Sequence, residues 1–396
     1  MNTQAPEFEN EILFISPECP FPTGELTCQR DAHLANLLAR QTRVELLYPS
    51  SGSPDIDSDI ATEPKQSGNL KLIGLVPQDA PAWRRLAAKI HPLIFDSNSH
   101  TIRQALRQRA RHGKILWISQ LEMGQYIPFA KELGYRVIWD RHGKTVSKAQ
   151  HRYRESRHLN LADTVITTCN SDAKRVRKLA PQTSVHIIPN AIDFSTFDSV
   201  RDKSGSTLFF SGALDEPATL KGLLWFVREI MPRLRASLKT TLPRVVIAAK
   251  VSGVHADPAT LKFKSFLESA GIEVHLNPPS ILPLLSESAI VFNPNPKDVA
   301  NRTRILEAMA AGRAVVSTGT GAEGLVLVPS FNIWIANQAD GFTSALLRLI
   351  DDPTARQQMG LHASKTVQMH FDWSCASSPL KSVLFELQRA ASERVS

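Results

Sequence analysis

The segment NRTRILEAMAAGRAVVSTGTGAEGL spans residues 301–325 and joins a helical pattern, a short apolar run and a glycine-rich loop. Between residues 305 and 310 the apolar side chains recur at the spacing of one helix face. Gly312 stands where this helix would end in the left-handed conformation. RAVVST (313–318) then has the composition of a buried strand. The segment therefore predicts a helix followed by a parallel strand, the repeating unit of an α/β sheet.

The same alternation of strand and helix extends along the chain in both directions. A polar stretch, DSVRDKSGS (198–206), divides it into two series, which predicts two α/β domains in tandem. We place these domains at residues 1–198 and 199–370, followed by a C-terminal segment at 371–396. The predicted strands are EILFIS (11–16), VELLYP (44–49), ILWIS (115–119), YRVIWD (135–140), TVITTC (164–169), VHIIP (185–189), TLFFSG (207–212), RVVIAAK (244–250), IEVHLN (272–277), AIVFNPNP (289–296) and RAVVST (313–318).

The composition is that of a globular protein, with 42% apolar and 21% charged residues over 396 positions. No apolar run approaches the roughly 18–20 residues that a membrane-spanning helix needs. The acidic, polar start MNTQAPEFEN does not resemble a signal peptide. The four cysteines have neither the spacing of a zinc site nor that of a disulfide framework. We expect a reducing, cytoplasmic compartment and no metal centre.

Positive charge is concentrated in one part of the chain, although the whole protein carries a formal charge of only +8. Residues 71–178 hold 21 Lys and Arg against 8 Asp and Glu. Such a region suits an anionic partner, for example a phospholipid surface or a phosphorylated acceptor, while an ordinary solvated basic surface explains the charge equally well. Nucleic acid is not expected, because the region lacks interleaved aromatic residues and a recognised motif.

Two arginines and a glutamate occupy the first turns of the helix in the opening segment. A helix N-terminus offers free N–H groups and partial positive charge, so Arg302 and Arg304 are suited to phosphate oxygens. Glu307, about one turn later, can accept hydrogen bonds from sugar hydroxyls. The glycine-rich loop at 319–325 can bring backbone N–H groups close to a ligand. Together these parts suit a diphosphate with an attached ribose.

Six segments follow one another in an order that is typical of one enzyme family. ANRTRILEA (300–308) is similar to the motif G-T-R-x-K-x-L-E-A, and VVSTGTGAEGL (315–325) to V-V-S-T-x-x-G-A-E-G-L. HIIPNAIDFSTF (186–197) is similar to I-P-N-G-V-D-x-x-x-F. The chain thus resembles the GT-B glycosyltransferases of glycosyltransferase family 4, most closely their bacterial exopolysaccharide-synthesis subgroup. The other likenesses are SPECPFPTGELTCQRDAHLANLLA (16–39), ADTVITTCNSDAKRV (162–176) and LFFSGALDEPATLKGLLWFVREIMPRL (208–234), with Trp373 similar to the residue that starts the last helix.

The resemblance implies a GT-B fold. In that fold two Rossmann-like α/β domains face each other across a cleft, and a C-terminal helix crosses back to the N-terminal domain. The implied reaction moves a sugar from a nucleoside-diphosphate sugar to an acceptor hydroxyl with retention of anomeric configuration, in cell-surface polysaccharide or glycolipid synthesis. No metal or other cofactor is expected, because Arg, Lys and helix N-termini would meet the charge of the leaving diphosphate.

The residues expected to contact the donor lie on strand-end loops of the second domain. Glu307 is expected to bind the ribose, and Arg302, Arg304 and Lys250 the diphosphate. Each has an ordinary structural alternative, such as a solvated helix start or strand end. The other predicted donor-site residues are Gly321, Ala322, Glu323 and Gly212.

The first domain offers candidates for the sugar and the acceptor. WDRHG (139–143) ends a predicted strand, and His142 resembles the histidine that such enzymes place near the reacting sugar. An imidazole there can bond a sugar hydroxyl or the developing charge, although a purely structural histidine is the alternative. Asp140 is the second predicted catalytic residue. Thr23 and Gly24, on the first loop, are expected to face the diphosphate or the acceptor.

The chain departs from the family pattern at several positions. Val299 stands at the first position of the family's E-x7-E pair, whose second position is Glu307, although the subgroup often lacks the first acid. Ala191, Ala249 and Ala300 stand where family loops carry glycine, and a Cβ can hinder close approach of backbone to ligand. Two alternatives on the same fold stay open, namely a sugar-nucleotide epimerase and a degenerate, non-catalytic scaffold protein.

The sequence leaves the acceptor open, together with the donor base and sugar, the linkage and the oligomeric state. A lipid-linked or polysaccharide acceptor suits the basic region, and its helical patterns predict peripheral contact with an anionic membrane, at the inner membrane face. Protein acceptors and soluble sugars are the alternatives. The basic residues on these patterns are Arg84, Arg85, Lys89, Arg103, Arg107, Arg109 and Arg111.

Overall fold

The chain divides into two compact units, one comprising Met1–Pro189 with Ala376–Ser396 and the other Asn190–Cys375. The first boundary precedes the polar stretch that marked it in the sequence, because Ile192 donates its N–H to Phe371 O at 2.9 Å within the second unit. The computed structural model describes residues 11–21, 26–49, 68–75, 99–111, 113–142, 149–201, 205–238, 242–251, 256–295 and 302–392.

The first unit is built on a parallel sheet of seven strands in the order β3-β2-β1-β4-β5-β6-β7. The direction in which successive strands are added reverses between β1 and β4, and ligands of such sheets bind beyond the carboxyl ends of the strands at this switch point. The strands are β1 Ile12–Ile15, β2 Val44–Pro49, β3 Leu70–Leu75, β4 Ile115–Ser119, β5 Arg136–Asp140, β6 Thr164–Thr167 and β7 Ser184–Ile187.

Helices follow the strands of the first unit, as right-handed crossovers between parallel strands require. Most strand residues are buried, which explains their near-continuous apolar runs. The described α-helices of this unit are Leu26–Ala39, Ser99–Arg109, Ile127–Glu132, Ala149–Leu161, Asn170–Leu179 and Ser377–Ser392, with a 3₁₀ turn at Glu122–Tyr126.

The second unit repeats this architecture with a parallel sheet of six strands in the order β10-β9-β8-β11-β12-β13. Its strands are β8 Thr207–Ala213, β9 Val245–Lys250, β10 Ile272–Leu276, β11 Ser288–Asn293, β12 Ala314–Ser317 and β13 Trp334–Ile335. Its described α-helices are Asp198–Arg201, Pro217–Trp225, Met231–Ser237, Pro258–Ser269, Leu282–Ser286, Arg302–Ala310, Ala339–Asp351 and Pro353–His370, with a π-helical turn at Phe226–Ile230 and 3₁₀ turns at Phe194–Phe197, Thr320–Ala322 and Trp373–Ala376.

Every strand predicted from the sequence is present, with ends that differ by a few residues. Two strands were missed, and both lie at a sheet edge. The strand β3 contains Lys71 and Gly74, and β13 has only two residues. An edge strand pairs on one side and is less buried, so it lacks the apolar run that marks a central strand.

The C-terminal helix Ser377–Ser392 returns to the first unit, as the GT-B resemblance implied. Arg136 donates to the carbonyl of Leu387, and Ser184 Oγ donates to Glu386 Oε1 at 2.7 Å. Among the helices in the described parts of the chain, none is long and apolar enough to cross a membrane.

Apolar clusters cover both faces of the second sheet. Phe226 and Phe292 stack with ring centroids 4.1 Å apart in one cluster. Leu306 and Met309 are completely buried in the other. This packing confirms the apolar face predicted from the opening segment and holds the helix Arg302–Ala310 against the sheet.

Candidate functional site

Three polar side chains meet at the switch point of the first sheet. Ser16 directly follows β1, Ser119 ends β4, and Asp31 lies on the first helix. Ser16 Oγ donates to Asp31 Oδ2 at 2.7 Å, and Ser119 Oγ donates to Asp31 Oδ1. All three side chains are buried, and the contact between Asp31 and Ser119 joins residues that are 88 positions apart in the sequence.

His142 joins this group from the loop after β5. Its Nε2 lies 3.0 Å from Ser119 Oγ and 3.3 Å from Asp31 Oδ1. Asp140, the last residue of β5, places Oδ2 3.7 Å from the same nitrogen. The structure therefore brings the two predicted catalytic residues to one edge of the sheet and adds two partners to them.

A buried arginine neutralises Asp140. Arg30 donates from Nε to Asp140 Oδ2 at 2.9 Å and from Nη2 to Oδ1 at 2.8 Å. The same guanidinium donates to the carbonyls of Ile188 and Pro189 at 3.0 and 3.1 Å. Charge-assisted, bidentate pairs of this kind have a fixed geometry, so Asp140 is rigidly placed at the carboxyl end of β5.

The same residues include a set with metal-ligand chemistry. Asp31, Asp140 and His142 each offer one ligand atom, and these atoms lie within 4.8 Å of one another. However, Arg30 contacts both oxygens of Asp140, and serine hydroxyls contact both oxygens of Asp31. The contacts describe a hydrogen-bonded network, and a cation would have to displace the guanidinium.

In the second unit, Glu307 lies on the helix that follows β11. Its side chain is only 12% exposed, and Arg304 Nη1 donates to Oε2 at 3.0 Å and to Oε1 at 3.3 Å. Burial raises the pKa of Glu307, while the charge and hydrogen bonds of Arg304 oppose that rise. Glu307 is thus a shielded carboxylate, unlike an ordinary exposed helix acid.

Strand-end amides and hydroxyls of the second unit shape the glycine-rich loop. Asn295 Nδ2 donates to Asn293 Oδ1 at 2.8 Å, and Asn293 Nδ2 donates to Ser317 Oγ at 3.2 Å. Thr318 Oγ1 donates to the carbonyl of Asn295 and accepts from the N–H of Gly321 at 3.2 Å. A Cβ at Gly321 would lie 2.5 Å from Asn293 Nδ2. This position therefore requires glycine for packing.

Among the described residues of the second unit, the buried polar atoms without a hydrogen-bond partner include Asn295 Oδ1 and Thr219 Oγ1. Both residues are fully buried. Asn295 Oδ1 faces the helix Pro217–Trp225 at Gly222, where a Cβ would approach to 2.8 Å. These atoms lie close to the carboxyl ends of β8 and β11, the switch point of this sheet.

The other predicted donor-site residues lie near the carboxyl ends of strands in the second unit. Gly212 is buried near the end of β8, and Lys250 ends β9 and is half-buried. Ala322 is packed in the core, whereas Glu323 is exposed to solvent. Arg302 begins the helix that holds Glu307. Thr23, Gly24, Arg84, Arg85, Lys89, Val299 and Ala300 lie outside the described residues.

Sequence reasoning missed four residues of the first site, namely Ser16, Arg30, Asp31 and Ser119. Two signals were present: a polar residue at the end of each of two strands, and an adjacent Arg-Asp pair within an otherwise apolar helix. Neither signal shows which side chain each of these residues contacts, because the contact between Ser119 and Asp31 depends on β1 and β4 being neighbours in the sheet.

Comparison with known proteins identifies the second unit. Residues 205–352 match the family described as glycosyl transferases group 1. This segment is a glycosyltransferase domain. It contains Glu307, Arg304 and the glycine-rich loop at 319–325. No curated protein sequence gives a significant match to the chain.

Solved structures resemble the whole chain at low sequence identity. Sucrose-phosphate synthase from Thermosynechococcus elongatus is 14% identical with a TM-score of 0.69, covering 96% of this chain and 100% of that one. A glycosyltransferase from Rickettsia africae is 12% identical with a TM-score of 0.68, covering 96% and 98%. HepE from Anabaena in complex with UDP and glucose is 11% identical with a TM-score of 0.65, covering 95% and 99%. These likenesses show the GT-B fold of two Rossmann-like domains.

Proposed function

We propose that the protein is a retaining glycosyltransferase that moves a sugar from a nucleoside-diphosphate sugar to an acceptor hydroxyl. Its product would be a cell-surface polysaccharide or glycolipid of the kind made by the exopolysaccharide subgroup of family 4. The observation that carries the proposal is the shielded carboxylate of Glu307, set beside Arg304 on a helix within the glycosyltransferase domain.

The nucleotide site follows from this pair of residues. Glu307 accepts hydrogen bonds from the ribose hydroxyls, and Arg302, Arg304 and Lys250 contact the diphosphate with the help of the helix N-terminus. Gly212, Gly321, Ala322 and Glu323 complete the donor site. The complex of Anabaena HepE with UDP and glucose favours UDP as the nucleotide.

His142 contacts the sugar that is transferred, and Asp140, at the end of β5, is the second catalytic residue. The charge of the leaving diphosphate is stabilised by preorganised cationic groups and helix dipoles, so the reaction needs no metal. Thr23 and Gly24 belong to the acceptor side of the reaction.

The acceptor is a lipid-linked sugar or a polysaccharide, and the protein works in the cytoplasm at the inner membrane face. The helix Ser99–Arg109 supports this part of the proposal. Arg103 and Arg107 are exposed on it, and their guanidinium carbons lie 5.3 and 5.0 Å from the ring centroid of Phe129. Such clusters of basic residues are attracted to anionic lipid headgroups.

Calorimetric titration with UDP tests the donor site. UDP is expected to bind the wild-type protein, and Glu307→Gln is expected to weaken binding by about 10- to 100-fold, because a charged acceptor for the ribose is lost. Glu268→Gln, which changes an exposed helix glutamate, is the matched control and should bind as the wild type does. Equal affinity of the two variants would refute the assignment of Glu307.

Product analysis tests the reaction class. Incubation with UDP-sugar and lipid-linked acceptor in the presence of a chelator should yield a glycoside whose anomeric configuration, read by NMR, matches the donor. A changed nucleotide sugar formed without acceptor would identify an epimerase instead. Absence of any nucleotide binding would identify a degenerate scaffold.

A further inference from the structure

We propose that Ser119 and Asp31 are positioning residues that keep the proton of the neutral His142 ring on Nε2, so that Nδ1 accepts a hydrogen bond from the substrate. The identification of that substrate as a sugar hydroxyl rests on the function proposed above. The tautomer itself follows from contacts within the first unit and does not depend on the reaction.

The hydroxyl proton of Ser119 decides the tautomer. A serine hydroxyl has one proton to donate and lone pairs to accept with. Ser119 Oγ uses its one proton to donate a hydrogen bond to Asp31 Oδ1, since an ionised carboxylate can only accept hydrogen bonds. Towards His142 Nε2, at 3.0 Å, the same oxygen can then act only as an acceptor. His142 must therefore donate from Nε2.

The charges around Nε2 point to the same assignment. Asp31 Oδ1 lies 3.3 Å from Nε2 and Asp140 Oδ2 lies 3.7 Å from it. A bare nitrogen lone pair would face two carboxylate oxygens in a buried site, where electrostatic repulsion is strong. A proton on Nε2 replaces that repulsion by attraction.

The two carboxylates have different partners. Asp140 is paired through both oxygens with Arg30. Asp31, within the described residues, has no cationic partner besides His142, and its second oxygen accepts from Ser16. The charge of Asp31 is therefore directed at the imidazole, directly and through Ser119, which makes Asp31 the residue that orients the ring proton.

The opposite ring nitrogen is the group left for substrate. Among the described residues, no side chain or backbone group forms a hydrogen bond with His142 Nδ1. The side chain is 6% exposed, so most of the ring is shielded from solvent. In the Nε2–H tautomer Nδ1 carries a lone pair, which accepts a hydrogen bond from a hydroxyl. The other tautomer would present a donor instead.

Nitrogen-15 NMR of the histidine rings tests the tautomer on the intact protein without substrate. The His142 signals are assigned by their absence in His142→Gln. In the neutral ring, recognised by signals that no longer change as the pH is raised, we expect a protonated-type shift for Nε2 and a bare-nitrogen shift for Nδ1. A proton on Nδ1, in either the neutral or the charged ring, would overturn the proposal.

Two serine variants distinguish a role in positioning the His142 ring from the loss of a buried hydrogen bond to Asp31. Ser119→Ala and Ser16→Ala each remove one buried hydrogen bond to Asp31, but only Ser119 touches His142. In Ser119→Ala we expect the tautomer preference to weaken and kcat to fall by about 10-fold or more, with KM for the donor within about 2-fold. Ser16→Ala should keep the wild-type tautomer and lose less than about 3-fold in kcat.

Equal losses of kcat in the two serine variants, or an unchanged tautomer in Ser119→Ala, would overturn the role of Ser119. Failure of the proposed function is recognised separately, because UDP titration reports on Glu307 in the second unit. If a variant does not fold, which its melting curve would show, the wild-type NMR result still decides between the two tautomers.

Discussion

The two sites lie at the carboxyl ends of two parallel sheets with a similar strand order, yet they balance buried charge in opposite ways. In the first unit, Asp140 is fully buried and receives two hydrogen bonds from Arg30, which is itself held by two backbone carbonyls. In the second unit, Glu307 has one nearby arginine on its own helix, and burial raises its pKa.

The difference shows how one architecture can serve two tasks. The first site is internally satisfied, so it can hold a reactive group in one orientation before substrate arrives. Within the described part of the second unit, Glu307 has a single partner and Asn295 Oδ1 has none, so a ligand can supply further hydrogen bonds there. Three predictions test this comparison.

The largest effect is expected from removal of the buried arginine. Arg30→Met would leave Asp140 buried without its counter-ion, and the free energy of unfolding should fall by about 3–5 kcal/mol. Arg304→Met should cost only about 1 kcal/mol, because the side chains of Arg304 and Glu307 are 18% and 12% exposed, whereas those of Arg30 and Asp140 are 3% and 0% exposed. Urea unfolding at about pH 7 measures both variants.

The double variant Arg30→Met/Asp140→Leu serves as the control, because it removes both charges and should recover a large part of the lost stability. Similar losses for Arg30→Met and Arg304→Met would show that the two sites do not differ in the way described.

A smaller effect is expected from the loop of the second site. Gly321→Ala places a Cβ 2.5 Å from Asn293 Nδ2 and 3.0 Å from Ser317 Oγ, inside a buried hydrogen-bonded network. We expect a loss of about 1–3 kcal/mol in the free energy of unfolding, together with weaker UDP binding. Gly319→Ala, whose Cβ would meet its nearest atom at 3.4 Å, is the matched control. Equal stability of the two variants would show that the network adjusts freely.

The smallest effect is a pH dependence that belongs to Glu307. Because its folded-state pKa is raised, the folded protein keeps a proton that the unfolded chain has lost. The free energy of unfolding should therefore fall as the pH rises above the usual glutamate pKa of about 4.3, by at most about 1.4 kcal/mol per pH unit until the folded-state pKa is passed.

Glu307→Gln lacks this ionisation, so its stability relative to the wild type should increase with pH over that window. Urea unfolding of both proteins at several values between about pH 4.5 and about pH 7 measures the difference. Parallel stability curves would contradict the raised pKa.

Much of the architecture follows from local pattern. Apolar runs of strand length marked every central strand, and the periodicity at 305–310 predicted the face that Leu306 and Met309 bury. Gly312 has φ of +69°, the left-handed conformation expected at the end of that helix. These features could be predicted because a helix or strand with a buried face has apolar residues at a regular spacing along the sequence.

The helix that we propose to bind the donor was also predicted from the sequence, because Arg302, Arg304 and Glu307 lie within two turns of one another. The residues of the first site were predicted only in part. His142 and Asp140 were predicted, whereas Ser16, Arg30, Asp31 and Ser119 were not. The edge strands β3 and β13 were missed because partly buried strands have a weaker pattern of apolar residues.

The sequence by itself therefore determined the strands of both sheets and the polar residues at the start of the helix Arg302–Ala310. Only the tertiary structure decided which side chains contact His142 and which carboxylate has a counter-ion. Those properties depend on contacts between Ser119 and Asp31, 88 positions apart, and between Arg30 and Asp140, 110 positions apart. Side chains so distant in the chain meet only because parallel strands and their crossovers align their carboxyl ends, and no local periodicity records such a meeting.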